Sequence, residues 1–377
     1  MSAPAPPDRA PRFLLLQYEI PLGTAAIGTA LPAAIKARRP DAWITVAAAG
    51  LPANVLKSSP YVDELIVTPH PLKAFPAALR FFLMRVWPRR RQFDYVLADS
   101  GNQRSKTSLL AIASGVRRRV GFAVRPRLFH TGLTIDPALS NIDNSLKVLD
   151  AVGLPGPAQG PAIHFSPADL GKAEALIAEG GVGRGPVIAM VTQTSKGHPN
   201  AWFDDRWIDL SRRLIDALNA RLIFIGAKAD QPAIDAIRQG VKAPTLSVAG
   251  RTDIPELAAL MSQCDLVVSI DTGGLHVARG VNAPTVVLGH SATPKHQWLP
   301  LDQPLFRILL HDHVPCALCR KPSCATRECM QESTVDMVEQ AIADQLAAYP
   351  PSPKAHAARA AARTFDPVSR PAAPAGR

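Results

Sequence analysis

The sequence predicts an α/β protein built from two Rossmann-like, doubly wound domains, and three observations predict it. Short, wholly apolar runs alternate with amphipathic ones, as in parallel strands covered on both faces by helices. The alternation stops in a Pro- and Gly-rich region, 125–183, and then restarts. The chain has 377 residues, enough for two domains, and at 19% charged and 47% hydrophobic it has a globular composition.

Taken in order, "RFLLLQY" reads as a strand and "GTALPAAIKARR" as an amphipathic helix that stops at Pro40. "WITVAAA" is a second strand, "LPANVLKSS" a helix, "VDELIVT" a third strand and "FDYVLAD" a fourth. "SKTSLLAIASG" is a helix and "RRVGF" a further strand. In the less regular region "NSLKVLDAVG" and "ADLGKAEALIAEG" are helical. The second half repeats the order: strand "GPVIAMVT", helix "FDDRWIDLSRRLIDAL", strand "RLIFIG", helix "DQPAIDAIRQ", strand "PTLSVAG" and helix "DIPELAALMSQ". It continues with strand "DLVVSI", helix "GLHVARGV" and "PTVVLG" as the last strand, and "STVDMVEQAIADQLAAY" closes the fold as a helix. Domain boundaries follow: a disordered tail at 1–11, an N-terminal domain at 12–165, a C-terminal domain at 166–349 and a disordered Pro/Ala/Arg tail at 350–377. Ligands of such sheets bind beyond the carboxyl ends of the strands, and here also in a central cleft between the halves.

The net charge of +11 favours an acidic partner. Nucleic acid is set aside, because no helix-turn-helix, zinc finger or aromatic RNA-binding motif accompanies the charge. The N-terminus has no secretory apolar core and no window is long enough to span a bilayer, so the expected place is the cytoplasm. The stretch "HPLKAFPAALRFFLMRVWPRRRQ" mixes Phe75, Phe81, Phe82, Met84 and Trp87 with Lys73, Arg80, Arg85 and Arg89–Arg91. It reads equally as a helix packed on the first sheet and as a segment lying on anionic lipid.

In "CDLVVSIDTGGLHVARG" a strand ends at Asp271, and Thr272, Gly273 and Gly274 open a helix. Unpaired N–H groups and the positive end of a helix dipole attract phosphate, and glycines let a ligand approach the backbone. His276 lies one turn on, on the same face as Thr272 and Gly273. Asp271 or Thr272 would also serve as a plain helix cap. In "VIAMVTQTSKGHPNAWF" a strand runs out into Thr192, Thr194, Ser195 and Lys196, hydroxyls and a cation suited to a diphosphate. The N-terminal "PLGTAAIGTALPAAIKA" is neither a P-loop nor a dinucleotide fingerprint.

These pieces, in this order, resemble glycosyltransferase family 9, the bacterial lipopolysaccharide heptosyltransferases and their relatives. The resemblance spans roughly residues 12–345. It rests on "DTGGLHVARGVNAPTVVLG", on "FDYVLADSGNQRSKTSLLAIASGVRRRVGF", on "LGTAAIGTALPAAIKARRPDA" and on "LSVAGRTDIPELAALMSQCD". It implies a GT-B fold, a nucleotide-sugar donor such as ADP-heptose in the C-terminal half, and a saccharide or lipid-linked saccharide acceptor on the N-terminal side. Transfer would be inverting and metal-independent, with no cofactor required. Carried over by position, Asp271, Thr272, Gly273, Gly274 and His276 hold the donor together with Thr194, Ser195 and Lys196, and Arg104 and Lys106 fall on the acceptor side.

Two positions depart from the family. Its acid after L-G, the presumed general base, is Thr24 here, and a threonine hydroxyl needs a base of its own. Its lysine two residues before the tryptophan is Asn200, which leaves Lys196 as the substitute. Glu19, at the end of the same strand as Thr24's loop, is the favoured replacement base, ahead of Asp99 and His198. A catalytically impaired nucleotide-sugar-binding protein is the alternative reading. Finally, Cys316, Cys319, Cys324 and Cys329 are spaced C-x2-C-x4-C-x4-C, which suits a structural zinc or an iron–sulfur cluster, and equally reduced thiols or local disulfides.

Overall fold

A computed structural model describes residues 9–122, 128–180, 185–194, 198, 200–321 and 323–365. These fall into two compact units: the second is Phe165–Thr364, and the first comprises the described residues up to His164 together with Phe365.

The first unit carries a six-stranded parallel sheet of β1 (Arg12–Gln17), β2 (Trp43–Ala48), β3 (Glu64–Val67), β4 (Tyr95–Ala98), β5 (Arg118–Phe122) and β6 (Thr131–Leu133), in the order β3-β2-β1-β4-β5-β6. The second carries β7 (Val187–Val191), β8 (Arg221–Ile225), β9 (Leu246–Ser247), β10 (Leu266–Ile270), β11 (Thr285–Leu288) and β12 (Phe306–Leu309). Read from β9, its order is β9-β8-β7-β10-β11-β12, the same winding again. Both units are therefore doubly wound, and each has a switch point where the connections reverse direction: between β1 and β4, and between β7 and β10.

Burial explains the apolar runs. Phe13 to Leu16 of β1, Val96 and Leu97 of β4, and Leu266 to Val268 of β10 are buried, because helices cover both faces of each sheet. In the first unit Leu14, Phe82, Val86 and Leu110 belong to one core cluster; in the second Trp207, Phe224, Ile270 and Ile342 do. The two units share a local device. Asp94, just before β4, accepts the Arg12 N–H at the start of β1 (2.8 Å), and Asp265, just before β10, accepts the Val187 N–H at the start of β7 (2.8 Å). Each carboxylate satisfies the first donor of the neighbouring central strand and so pins the strand pair beside the switch point.

Several boundaries differ from those expected. "PTVVLG" is not the last strand, since β12 pairs with it, and β6 adds an edge within the irregular region. The Gly-rich stretch after β1 is already helical over Leu22–Gly28. The tail from 350 is not disordered throughout: Pro353–Arg363 is a helix capped by Ser352. It is held by Arg359, which donates to the Ser262 (2.9 Å) and Cys264 (2.7 Å) carbonyls, and by His356 on Asp265 (2.8 Å). These polar clips are not visible in a composition of Pro, Ala and Arg.

Candidate active site

In the second unit the chemistry gathers where β7 and β10 end. The helix Gly273–Gly280 follows Asp271 directly, with Thr272 as its extended cap residue. Among the described residues the Thr272 side chain makes no capping hydrogen bond, and while the Leu275 N–H donates to the Thr272 carbonyl (3.1 Å), the Thr272 hydroxyl and the N–H groups of Gly273 and Gly274 keep their bonding capacity. Gly274 is required here: a Cβ would lie 2.7 Å from Val191 Cγ1, and only glycine seats the helix start on the end of β7.

His276 is buried on this helix, and burial, with Arg279 next, lowers its pKa to about 4. It is thus a neutral imidazole at pH 7, a hydrogen-bonding group rather than a cation. Arg279 supplies the charge. It is 6% exposed, donates to the Trp298 carbonyl (2.9 Å) and lies 3.4 Å from His276 Nδ1, while Asp271 acts electrostatically on both residues. The His276 ring also packs against Trp298, with centroids 6.0 Å apart.

Asp271 has a further partner, His290, at the end of β11. His290 Nδ1 accepts the Ala292 N–H (3.1 Å), which leaves the proton on Nε2, and Nε2 lies 3.5 Å from the Asp271 carboxylate. Asn200 is buried, donates to the Asp271 carbonyl and bonds His198 Nδ1 (2.7 Å); the His198 ring meets His290 edge-on at 5.7 Å. Where the family pattern has a lysine, this chain therefore has an amide that ties the loop after β7 to the end of β10. Thr194 is half-buried in that loop. Ser195 and Lys196 lie outside the described residues.

Arg279 and His290 were not singled out from the sequence. Arg279 stands three residues after His276, so helical spacing offered a signal. His290 follows a strand two places from the switch point, and only the strand order makes it a neighbour of Asp271.

In the first unit the matching position, between the ends of β1 and β4, holds two acids. Glu19 is not a solvent-exposed loop residue: it is 2% exposed, and Asp99 is 1% exposed. The amide nitrogen of Asn102 donates to both, at 2.8 Å to Glu19 Oε1 and 2.8 Å to Asp99 Oδ1, and its oxygen accepts the Tyr18 N–H. The other carboxyl oxygens, Glu19 Oε2 and Asp99 Oδ2, are buried without a hydrogen-bond partner among the described residues. Burial, and then the charge of Asp99, raises the Glu19 pKa well above the ordinary range, and burial pushes Asp99 up to about 6. Thr24 is half-exposed on the helix Leu22–Gly28. It shares a neighbour with Glu19: a Cβ on Gly101 would lie 2.9 Å from Thr24 Cγ2 and 3.1 Å from Glu19 Cγ. Arg104 acts on Glu19 through its charge, whereas Lys106 lies over the Phe75 ring (5.7 Å).

The four clustered cysteines are free thiols, with Cys329 buried and the others half-buried. Among the described residues the one set of three acid, His or Cys side chains within 4.8 Å is Asp169, Asp253 and Glu256. Among the described residues no three of these thiols lie within 4.8 Å of one another. The acid trio is explained by capping boxes at Ser166–Asp169 and Asp253–Glu256.

Two like-wound parallel α/β units, with acids at one switch point and an open helix start at the other, define a protein of the GT-B type. Residues 88–329 match the model of glycosyltransferase family 9 (heptosyltransferase), and the chain belongs to that family. Among its relatives is lipopolysaccharide heptosyltransferase 3 of Escherichia coli, 27% identical over 180 residues, or 46% of this chain. The chain spans 50% of that relative's length. Similar solved structures include a glycosyl transferase family 9 protein from Veillonella parvula DSM 2008, with TM-score 0.78 and 16% identity over 92% of this chain and all of that one. The E. coli ADP-heptose LPS heptosyltransferase II has TM-score 0.68 and 18% identity over 89% of this chain and 98% of that one.

Proposed function

We propose that this chain is an inverting, metal-independent glycosyltransferase. It moves a heptose-like sugar from a nucleotide-diphosphate donor, ADP-heptose or a relative, to a lipopolysaccharide-core or similar saccharide acceptor. The setting is the cytoplasmic face of the inner membrane. The observation that carries the reading is the helix start after β10, where Asp271, the uncapped Thr272 and the N–H groups of Gly273 and Gly274 meet neutral His276 and buried Arg279.

In this mechanism the acceptor oxygen attacks the anomeric carbon, the bond from that carbon to the diphosphate oxygen breaks, and the configuration inverts. The leaving diphosphate gains negative charge. The helix N–H groups, Thr272, Ser195 and Lys196 meet it, and Arg279 adds a fixed positive potential. The acceptor proton passes to Glu19. Burial, and then the charge of Asp99, raises the proton affinity of Glu19, which makes its carboxylate a stronger proton acceptor than an ordinary one. Thr24 is the half-exposed neighbour of Glu19 across Gly101, on the side from which the acceptor would approach. Thr24 also supports the second reading, a binding protein with impaired transfer, because no acid stands at that position itself.

The test is nucleotide release from ADP-, UDP- and GDP-sugars, with and without a lipid-saccharide extract, for wild type and Glu19→Gln. Acceptor-dependent release from one donor, lowered about a hundredfold or more in Glu19→Gln with donor affinity unchanged, is the expected result. Donor binding without release under every acceptor condition replaces the transferase reading with the impaired one.

A further inference from the structure

The chain's excess positive charge is concentrated in two stretches. Residues 65–93 contain six Lys and Arg and no acid, and residues 100–135 contain seven and no acid. Together they exceed the net charge of the whole chain, +11, so the remainder is close to neutral. Both belong to the first unit. A charge run of this kind is ordinarily a solvated face, but here apolar side chains project beside it.

The helix Phe75–Phe81 continues as a π-helical turn, Phe82–Val86, and a 3-10 turn, Trp87–Gln92. Its inner side is anchored: Ala78, Phe82 and Val86 are fully buried in the core of the unit. Its outer side presents Leu83, Met84 and Trp87, which are 49%, 60% and 41% exposed. Next to it, the helix Ser105–Ala113 presents Leu109 and Ile112, 41% and 39% exposed. Gly115, just beyond that helix, lies against the Trp87 ring and Arg90, so the two elements touch at Trp87. Cations frame the apolar side chains. Arg80 Nε donates to Met84 Sδ (3.4 Å) and Arg90 stacks on Trp87 (5.0 Å), while Arg85, Arg91 and Arg117 are exposed. Arg89 is not part of this frame, because it pairs internally with Glu64 at 2.6 and 2.8 Å.

We propose that this outer face, Leu83, Met84 and Trp87 with Arg85, Arg91 and Arg117, docks the protein on an anionic phospholipid bilayer. The partner is argued from charge complementarity and from chemistry. Exposed Leu and Met enter the acyl boundary, Trp sits at headgroup level, and arginines on long stems reach lipid phosphates. A purely saccharide ligand would use the arginines but gain nothing from Leu83 and Met84. The inference sharpens the membrane part of the proposed function by naming the face, and its test does not use transfer activity.

The full chain is sedimented with vesicles of phosphatidylcholine alone, and of phosphatidylcholine with phosphatidylglycerol. Binding to the second and not the first, weakening as salt rises, is expected. The double variant Arg85→Gln/Arg91→Gln should bind about thirtyfold more weakly, at roughly fivefold per surface arginine. The exposed pair Leu83→Glu/Met84→Glu should lose binding, with an unchanged circular dichroism spectrum and unchanged ADP affinity. The proposal is overturned if anionic vesicles are not bound, or if Leu83→Glu/Met84→Glu binds like wild type. It is equally overturned if sedimentation requires lipopolysaccharide in the vesicles, which would make the face a saccharide site. None of these failures touches nucleotide release, which is measured separately.

Discussion

Replacing Asp99 by asparagine should change how the stability of this protein depends on pH. Asp99 is 1% exposed and its pKa stands at about 6, because burial disfavours its charge and the bonds from Asn102 and the Gly101 N–H only partly offset that. The unfolded chain has the ordinary value of about 3.9. Below pH ~4 both states are protonated and the group has no effect. As the pH rises through the window from ~4 to ~6, the unfolded chain loses its proton first, the native state holds more protons, and stability falls. At about 1.4 kcal/mol per unit over about two units, the loss is roughly 3 kcal/mol, and it stays constant above pH ~6. The asparagine side chain in Asp99→Asn is nearly isosteric, keeps an acceptor for Asn102 and carries no proton to lose. The variant's stability relative to wild type should therefore climb by about 3 kcal/mol between pH ~4 and pH ~7.5. Relief of Glu19 from a neighbouring charge acts in the same direction. Urea unfolding of both proteins at several pH values, followed by tryptophan fluorescence, measures the difference. A difference between variant and wild type that is the same at every pH, or in which the variant loses stability relative to wild type as pH rises, would refute the reasoning.

Two further outcomes follow from the site and the fold. Thr272→Val removes a hydroxyl that the helix leaves uncapped, and it should weaken ADP binding about tenfold in calorimetry, since a bond to a charged oxygen contributes about 1.5 kcal/mol; an unchanged Kd would exclude Thr272 from the donor site. Gly115→Ala should lower the melting temperature by several degrees, a cost of about 1–3 kcal/mol. Its φ of +72° disfavours any side chain, and the added Cβ would meet the Trp87 ring at 2.6 Å; an unaltered transition would contradict that packing.

The elements were legible because their signals are local. "RFLLLQ" and "LVVSI" are apolar without interruption because both faces of the strand are covered, and that requirement is written in consecutive residues. The loss of polar signal was misleading in the tail, where Ser352, His356 and Arg359 build a helix out of an Ala- and Pro-rich stretch. The Asp271–His276 cluster was readable for the same local reason: its members lie within one turn of a helix start.

What the sequence by itself determined is the alternation of strands and helices, the repeat of that alternation, and the residue types at each strand end. What only the tertiary structure decided is which strand ends are neighbours. Glu19 and Asn102 are 83 positions apart and meet because β1 pairs with β4, and His290 reaches Asp271 because β10 pairs with β11. Burial was decided there too. The same Glu19 is a plain acid in the open and one of raised proton affinity beside Asp99, and enclosure next to Arg279 keeps the same His276 neutral well into acidic pH. Periodicity depends on near neighbours along the chain. Proton affinity depends on solvent and on charges brought close by strand order, and neither is encoded at any one position.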